Sequence, residues 1–149
     1  MNNLPKIAIS IGDLNGIGIE IALKCHDKIS KICQPIYCIN KKMLAQASNL
    51  LKAEIPGNFE LFETKGEFDI KAGTVSKKSG KYSFNSFLDA INLASKKKVD
   101  AICTLPINKE AWNKADIDLV SCHEFNITQS HFFILYNSFN TMSRNFFKM

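Results

Sequence analysis

Nothing in the chain approaches the roughly 20 consecutive apolar residues that a bilayer-crossing helix needs, so no membrane partner is expected. The start, Met1 to Lys6, has no secretory hydrophobic region, and strand-like residues begin almost at once. Five cysteines (Cys25, Cys33, Cys38, Cys103 and Cys122) include no CxxC pair. With no export signal, they read as reduced thiols in a cytoplasmic protein. The three histidines, His26, His123 and His131, show no metal-ligand spacing, so no metal site is expected in this chain. No Ser-His-Asp or Cys-His nucleophile arrangement can be assembled, so no complete catalytic set is expected either. Internal repeats and low-complexity linkers are absent. So is a stripe of basic charge. The net charge of +5 is spread over scattered lysines, whereas a nucleic-acid surface concentrates them, and no nucleic-acid partner is expected. The one knot, Lys96-Lys97-Lys98, reads as a solvated helix end, where cations complement the dipole.

What is present is a globular composition, 46% hydrophobic and 22% charged over 149 residues, enough for a domain with a core. Short apolar runs alternate with helical periodicity. The pattern predicts strand 6–11, helix 16–29, strand 35–40, helix 41–52, a strand near 59–62, an irregular stretch 64–80, helix 82–98, strand 99–104 and helix 108–115. In the first helix Ile17, Ile21, Cys25 and Ile29 fall on one side, and His26, among Lys24, Asp27 and Lys28, is expected to be exposed. Ile36 to Ile39 is a continuous apolar run, as in a strand covered on both faces. Phe84, Phe87, Leu88, Ile91 and Ala94 recur at helical spacing. Alternation of this kind implies an α/β fold with a mostly parallel sheet and helices on both faces, three layers in all.

Two loops follow strands and open helices, the place where open α/β sheets bind ligands. The first is Gly12-Asp13-Leu14-Asn15-Gly16-Ile17-Gly18. Its glycines do not fit the dinucleotide GxGxxG, and GxxxxGK[ST] is absent. Gly16 and Gly18 allow close backbone approach. Asp13 either fixes a substrate hydroxyl or amine, or caps the helix. The second loop is Thr104-Leu105-Pro106-Ile107-Asn108-Lys109. Asn108 is placed to cap the next helix, and Trp112 belongs to the core. A lysine in a first helical turn runs against the dipole, so Lys109 either meets a nearby phosphate or is simply solvated. A third segment, Gly73 to Tyr82, is polar and turn-rich. It serves as a phosphate or substrate loop or as a surface connection, with Ser79 or Ser83 capping the following helix.

From residue 121 the composition changes. Residues 121–149 hold six of the eleven phenylalanines and four asparagines, with no Gly, Pro or Asp and one acidic residue, Glu124. Phe132 to Tyr136 reads as an edge strand. The domain division is therefore 1–120, an N-terminal α/β part, and 121–149, an atypical tail that is frameshifted or disordered. His123, beside Cys122 and Glu124, is the only dense group of acid–base residues.

Taken together, these loops resemble the 4-hydroxythreonine-4-phosphate dehydrogenase family of pyridoxine biosynthesis. Residues 6–20 are similar to its Gly-Asp/Glu-Pro-Ala-Gly-Ile-Gly-Pro-Glu/Asp loop, with Leu14-Asn15 in place of Pro-Ala and Ile19 in place of the second proline. Thr104 to Lys109 resembles its Thr-Gly-Pro-Ile-Asn-Lys, Gly73 to Gly80 its Gly-x-x-Ser-x-x-Ser-Gly, and Ala115 to Val120 its Ala-Gly-Ile-x-x-x. The family continues Gly-His-Thr-Glu-Phe. Aligned on Glu124-Phe125, Cys122 stands at the histidine and His123 at the threonine, both substrate contacts in the family, and no resemblance is visible after Phe125.

The resemblance implies about the N-terminal half of an isocitrate/isopropylmalate dehydrogenase-like fold. It implies substrate contacts at Gly12, Asp13, Asn108, Lys109, Cys122 and His123. It also implies oxidation and decarboxylation of a phosphorylated substrate, 4-phosphooxy-threonine, with NAD or NADP and a divalent ion (Zn, Mg or Co), in a homodimer. The family's metal-binding histidines correspond to no position here, so the short chain is expected to be inactive alone. The alternative is a non-catalytic phosphate-binding or interaction module derived from the same lobe.

Overall fold

A computed structural model describes residues 4–117 and the strand 134–136. The elements alternate as β1 (Lys6–Ser10), α1 (Gly18–Ile29), β2 (Gln34–Cys38), α2 (Lys41–Leu51), β3 (Glu60–Phe62), α3 (Lys77–Ser95), β4 (Ala101–Thr104), α4 (Lys109–Lys114) and β5 (Ile134–Tyr136). Of the 121–149 tail, only β5 lies among the described residues, and Cys122 and His123 lie outside them.

All strand pairs are parallel, in the order β3-β2-β1-β4-β5. The chain runs from β1 outward to β3, then returns across the sheet to β4 on the other side of β1. Parallel crossovers are right-handed, so reversing direction puts the connecting helix on the opposite face. The cores agree. Ile19, Ala22 and Leu23 of α1 and Met43, Leu44 and Ala47 of α2 pack with Ile9, Tyr37 and Ile39. Ala90, Leu93 and Ala94 of α3 pack with Ala8, Cys38 and Ile102 on the other side. The expected three-layer α/β fold is present. Tyr37, Cys38 and Ile39 are wholly buried, as a doubly covered strand requires. Burial pushes the Cys38 thiol up to about 12, so it stays protonated at neutral pH. Cys25, Cys33 and Cys103 are likewise free thiols.

Several boundaries move for physical reasons. Ile11 leaves the ladder because its N–H donates to Ser86 Oγ (2.8 Å). Asn40 ends the second strand by capping α2, its Oδ1 accepting from Met43 N (2.9 Å). The largest shift is in α3, which begins at Lys77 rather than at 82. Ser76 is its cap, and Ser79 and Ser83 lie inside the helix, wholly buried. In α1 the buried side is Ile19, Ala22, Leu23 and His26, while Ile17 is 54% exposed. Both stripes have helical spacing. The stripe carrying Ala22 and Leu23 is the one that joins Ile9 and Tyr37 in the core.

His26, expected to be exposed, is fully buried. Asn58 Oδ1 can only accept, so His26 Nε2 carries the proton toward it (3.0 Å) and Nδ1 accepts from the Tyr37 hydroxyl (3.1 Å). Tyr37 in turn stacks on Phe59, ring centroids 3.8 Å apart. His26→Ala opens a cavity and orphans the Tyr37 hydroxyl, so a loss of about 3 kcal/mol in a urea titration is the expected result.

Candidate functional site

The strand order reverses between β1 and β4, and open α/β sheets bind ligands at such a reversal, beyond the carboxyl ends of the strands. Both candidate loops lie there. Leu105 N donates to Ser10 O (2.9 Å), which carries the pairing one step past β4. Asp13 N then donates to Pro106 O (2.9 Å), joining the two loops directly. The contact needs glycine at position 12, where φ is +69° and a Cβ would fall 2.3 Å from Pro106 O. Gly18 is similarly confined, with Ile11 O 2.8 Å from its added Cβ, whereas Gly16 is exposed and less tightly held.

Asp13 does not cap α1. The cap position is Ile17, and no side chain bonds there. Instead Asp13 Oδ1 accepts from Asn15 N (3.0 Å), and Gly16 N donates to Asp13 O (3.0 Å), folding the loop on itself. The carboxyl is buried, 4% exposed. That burial raises its pKa above the ordinary value, against smaller lowering effects from the Asn15 N–H and the Ser79 hydroxyl. Between 3.8 and the raised value the native state binds more protons than the unfolded chain. Stability therefore falls as pH rises through that window and then levels off. Asp13→Asn keeps an acceptor for Asn15 N and carries no charge. The variant's urea midpoint should gain on the parent's between pH 4 and pH 7; a constant gap would refute the assignment.

The segment before α3 is held by Asn15, a residue the loop motif alone does not single out. Its Oδ1 accepts from Lys71 N (2.9 Å), its Nδ2 donates to Thr74 O (2.9 Å) and Thr74 Oγ1 (3.1 Å), and its backbone O accepts from Gly73 N (2.8 Å). The 71–74 stretch is thus tied across the first loop. Asn15 stands where the resembled motif carries alanine, and that departure was the available signal.

Asn108 caps α4 as expected, its Oδ1 accepting from Ala111 N (3.0 Å). Lys109, half-buried, is the first residue of that helix. Trp112, 2% exposed, anchors α4. Its indole N–H donates to Ser83 Oγ (3.0 Å), and its ring meets Phe84 edge-on, centroids 5.4 Å apart. Gly80 admits the close approach of α3 and α4: a Cβ there would lie 2.0 Å from Ala111 O. Gly12, Asp13, Asn108 and Lys109 therefore come from two loops in direct contact. Buried Ser79, Ser83 and Ser86, at the i, i+4, i+7 spacing of an apolar stripe, were not singled out as a packing face because serine reads as loop.

The sequence pattern of the family described as pyridoxal phosphate biosynthetic protein PdxA matches residues 31–138, continuing past Phe125, where the motifs above show no further likeness. A 4-hydroxythreonine-4-phosphate dehydrogenase of Sulfurimonas denitrificans is 58% identical over 112 residues, 75% of this chain and 36% of that one. The enzyme of the same name from Campylobacter fetus is 57% identical over 118 residues, 79% and 38% of the two chains. The crystal structure of a 4-hydroxythreonine-4-phosphate dehydrogenase from Burkholderia phymatum superposes with a TM-score of 0.70 at 27% identity, over 78% of this chain and 40% of that one. The chain thus spans under two-fifths of the length of these two curated relatives. With its pattern matched along most of its length and its fold shared, the chain belongs to the PdxA family of pyridoxal phosphate biosynthetic proteins.

Proposed function

We propose that this chain is part of a dehydrogenase that oxidises the secondary alcohol of 4-phosphooxy-threonine, with loss of carbon dioxide, and that it contributes the β1–α1 and β4–α4 loops to the substrate site. The observation that carries the reading is the Asp13 N to Pro106 O hydrogen bond, which unites two motif-bearing loops where the strand order reverses. Gly12 lets the backbones meet. Asp13 offers a buried carboxyl to a substrate hydroxyl or ammonium group. Asn108 fixes the start of α4, and Lys109 brings a cation to the phosphate. Cys122 and His123 are assigned to the substrate by their alignment with the family's His-Thr pair.

The reading also implies NAD or NADP, a divalent ion, a homodimer and a cytoplasmic setting. When bound, these groups would supply a hydride acceptor and a Lewis acid for the alcohol oxygen. Among the described residues no three His, Cys, Asp or Glu side chains converge as a metal site. The space beside Gly12 is filled by the backbone of 105–106 instead of lying open to a pyrophosphate. The described residues fit neither group. Ligands for both are expected from outside the described residues, and the short chain is expected to turn over nothing by itself.

The test pairs two measurements on the purified chain. Incubated with 4-hydroxythreonine 4-phosphate, NAD+ or NADP+, and Mg2+ or Zn2+, it should reduce no cofactor above the blank. Titrated with the same phosphate ester, it should show amide shifts at Gly12, Asp13, Asn108 and Lys109. Turnover by the short chain overturns the first expectation, and unmoved amides overturn the site.

A further inference from the structure

The first half of α3 lays three wholly buried serines against the sheet and its outgoing loops. Two have their protons committed. Ser86 Oγ accepts from Ile11 N (2.8 Å) and donates to Cys38 O (2.7 Å), clipping the ends of β1 and β2 together. Ser79 Oγ has two acceptors for its one proton, Ser76 O (3.1 Å) and the Asp13 carboxylate. Ser83 differs: its oxygen accepts from the Trp112 indole (3.0 Å), and among the described residues its own proton has no acceptor.

Ser10 and Thr104 are register partners at the last positions of β1 and β4. They are 0% and 4% exposed, and among the described residues neither hydroxyl has a hydrogen-bond partner. Side chains alternate along a strand, so both lie on the α3 face, two residues beyond Ala8 and Ile102, which pack against Ala90, Leu93 and Ala94. Adjacent strands stand about 4.8 Å apart, which puts the two hydroxyls side by side. One bond between them uses one of their two protons and leaves the other unmet. Burying a hydroxyl without a partner is unfavourable, and protein interiors meet such groups with ordered water.

We propose that Ser10 Oγ, Thr104 Oγ1 and Ser83 Oγ hold a single buried water. It closes the ends of β1 and β4 against α3, directly beneath the 11–16 and 105–108 loops. Three hydroxyls give the water the two to four polar partners that an internal site requires. The site stands on the packing alone and is independent of the substrate the loops take.

A high-resolution crystal structure of the whole chain should show a density peak within hydrogen-bonding distance of all three oxygens. Ser10→Ala and Thr104→Val remove the hydroxyls with little change of volume. With the water in place, each variant loses the peak and lowers Tm by about 3 °C. The double variant falls by less than the sum, because the second substitution acts on a site already broken. Dry, unpaired hydroxyls give the opposite sign: both substitutions relieve an unmet polar group and raise Tm. A rise in Tm, or no peak in the parent protein, overturns the proposal.

Discussion

Gly12→Ala separates the two loops and destabilises the fold by about 3 kcal/mol or more, even though it adds a single methyl group. Two effects add. The residue sits at φ +69°, where a side chain clashes with its own carbonyl, at about 1–2 kcal/mol. The new Cβ also lies 2.3 Å from Pro106 O, 2.8 Å from Leu105 O and 2.9 Å from Leu105 C. These are backbone atoms with no rotamer to change, so the second loop itself has to move. That movement breaks the Asp13 N to Pro106 O bond and withdraws Asn108 and Lys109 from the first loop. Gly73→Ala separates the two contributions, since Gly73 shares the backbone geometry (φ +73°) but has nothing within 4 Å of its added Cβ. It should cost about 1 kcal/mol and leave the loops joined. Urea titration gives the energies, and hydrogen exchange at the Asp13 amide reports the bond. If the two variants behave alike, the loops do not meet at Gly12.

Much of this arrangement was legible in the residues. Ile7 to Ile11 and Ile102 to Thr104 are apolar runs broken by glycine or proline, and such runs have few structures open to them beyond a buried strand and its exit loop. The order of strands and helices follows, as do the two loops at strand ends. What could not be read is non-local. The irregular stretch before α3 is fastened to Asn15, more than fifty positions away in sequence, and composition carries no sign of the partner. The start of α3 is hidden because Ser76, Ser79 and Ser83 resemble a polar connection until Ser76 caps the helix and the packing buries Ser79 and Ser83. His26 follows the same logic. Its charged neighbours describe the exposed side of α1, and the imidazole is inside because Tyr37 and Asn58 satisfy both its nitrogens. Buried polar groups are readable only once their partners are known.

Gly80→Ala should be more damaging still, and its sign runs against helix propensity. Within α3, alanine is intrinsically preferred over glycine by about 1 kcal/mol. The surroundings reverse this. A Cβ at position 80 falls 2.0 Å from Ala111 O, 2.3 Å from Ala111 C and 2.9 Å from Trp112 N, all backbone of α4. Helix α4 has to retreat by more than an ångström, and it carries Trp112 with it. The indole then loses its bond to Ser83 and its contacts with Phe84 and Phe87. Losing a buried tryptophan's packing costs about 3–5 kcal/mol, a large share of what holds an ordinary domain folded. Trp112 is the only tryptophan in the chain, so its emission reports on this contact alone. Gly80→Ala should shift that emission to the red and lower the urea midpoint sharply, or abolish the folding transition. It should also weaken binding of 4-hydroxythreonine 4-phosphate, because Asn108 and Lys109 ride on the displaced helix. Unchanged emission with a raised midpoint would mean that propensity governs position 80. In that case α3 and α4 do not touch there, and the second loop has lost the support that brings it to the first.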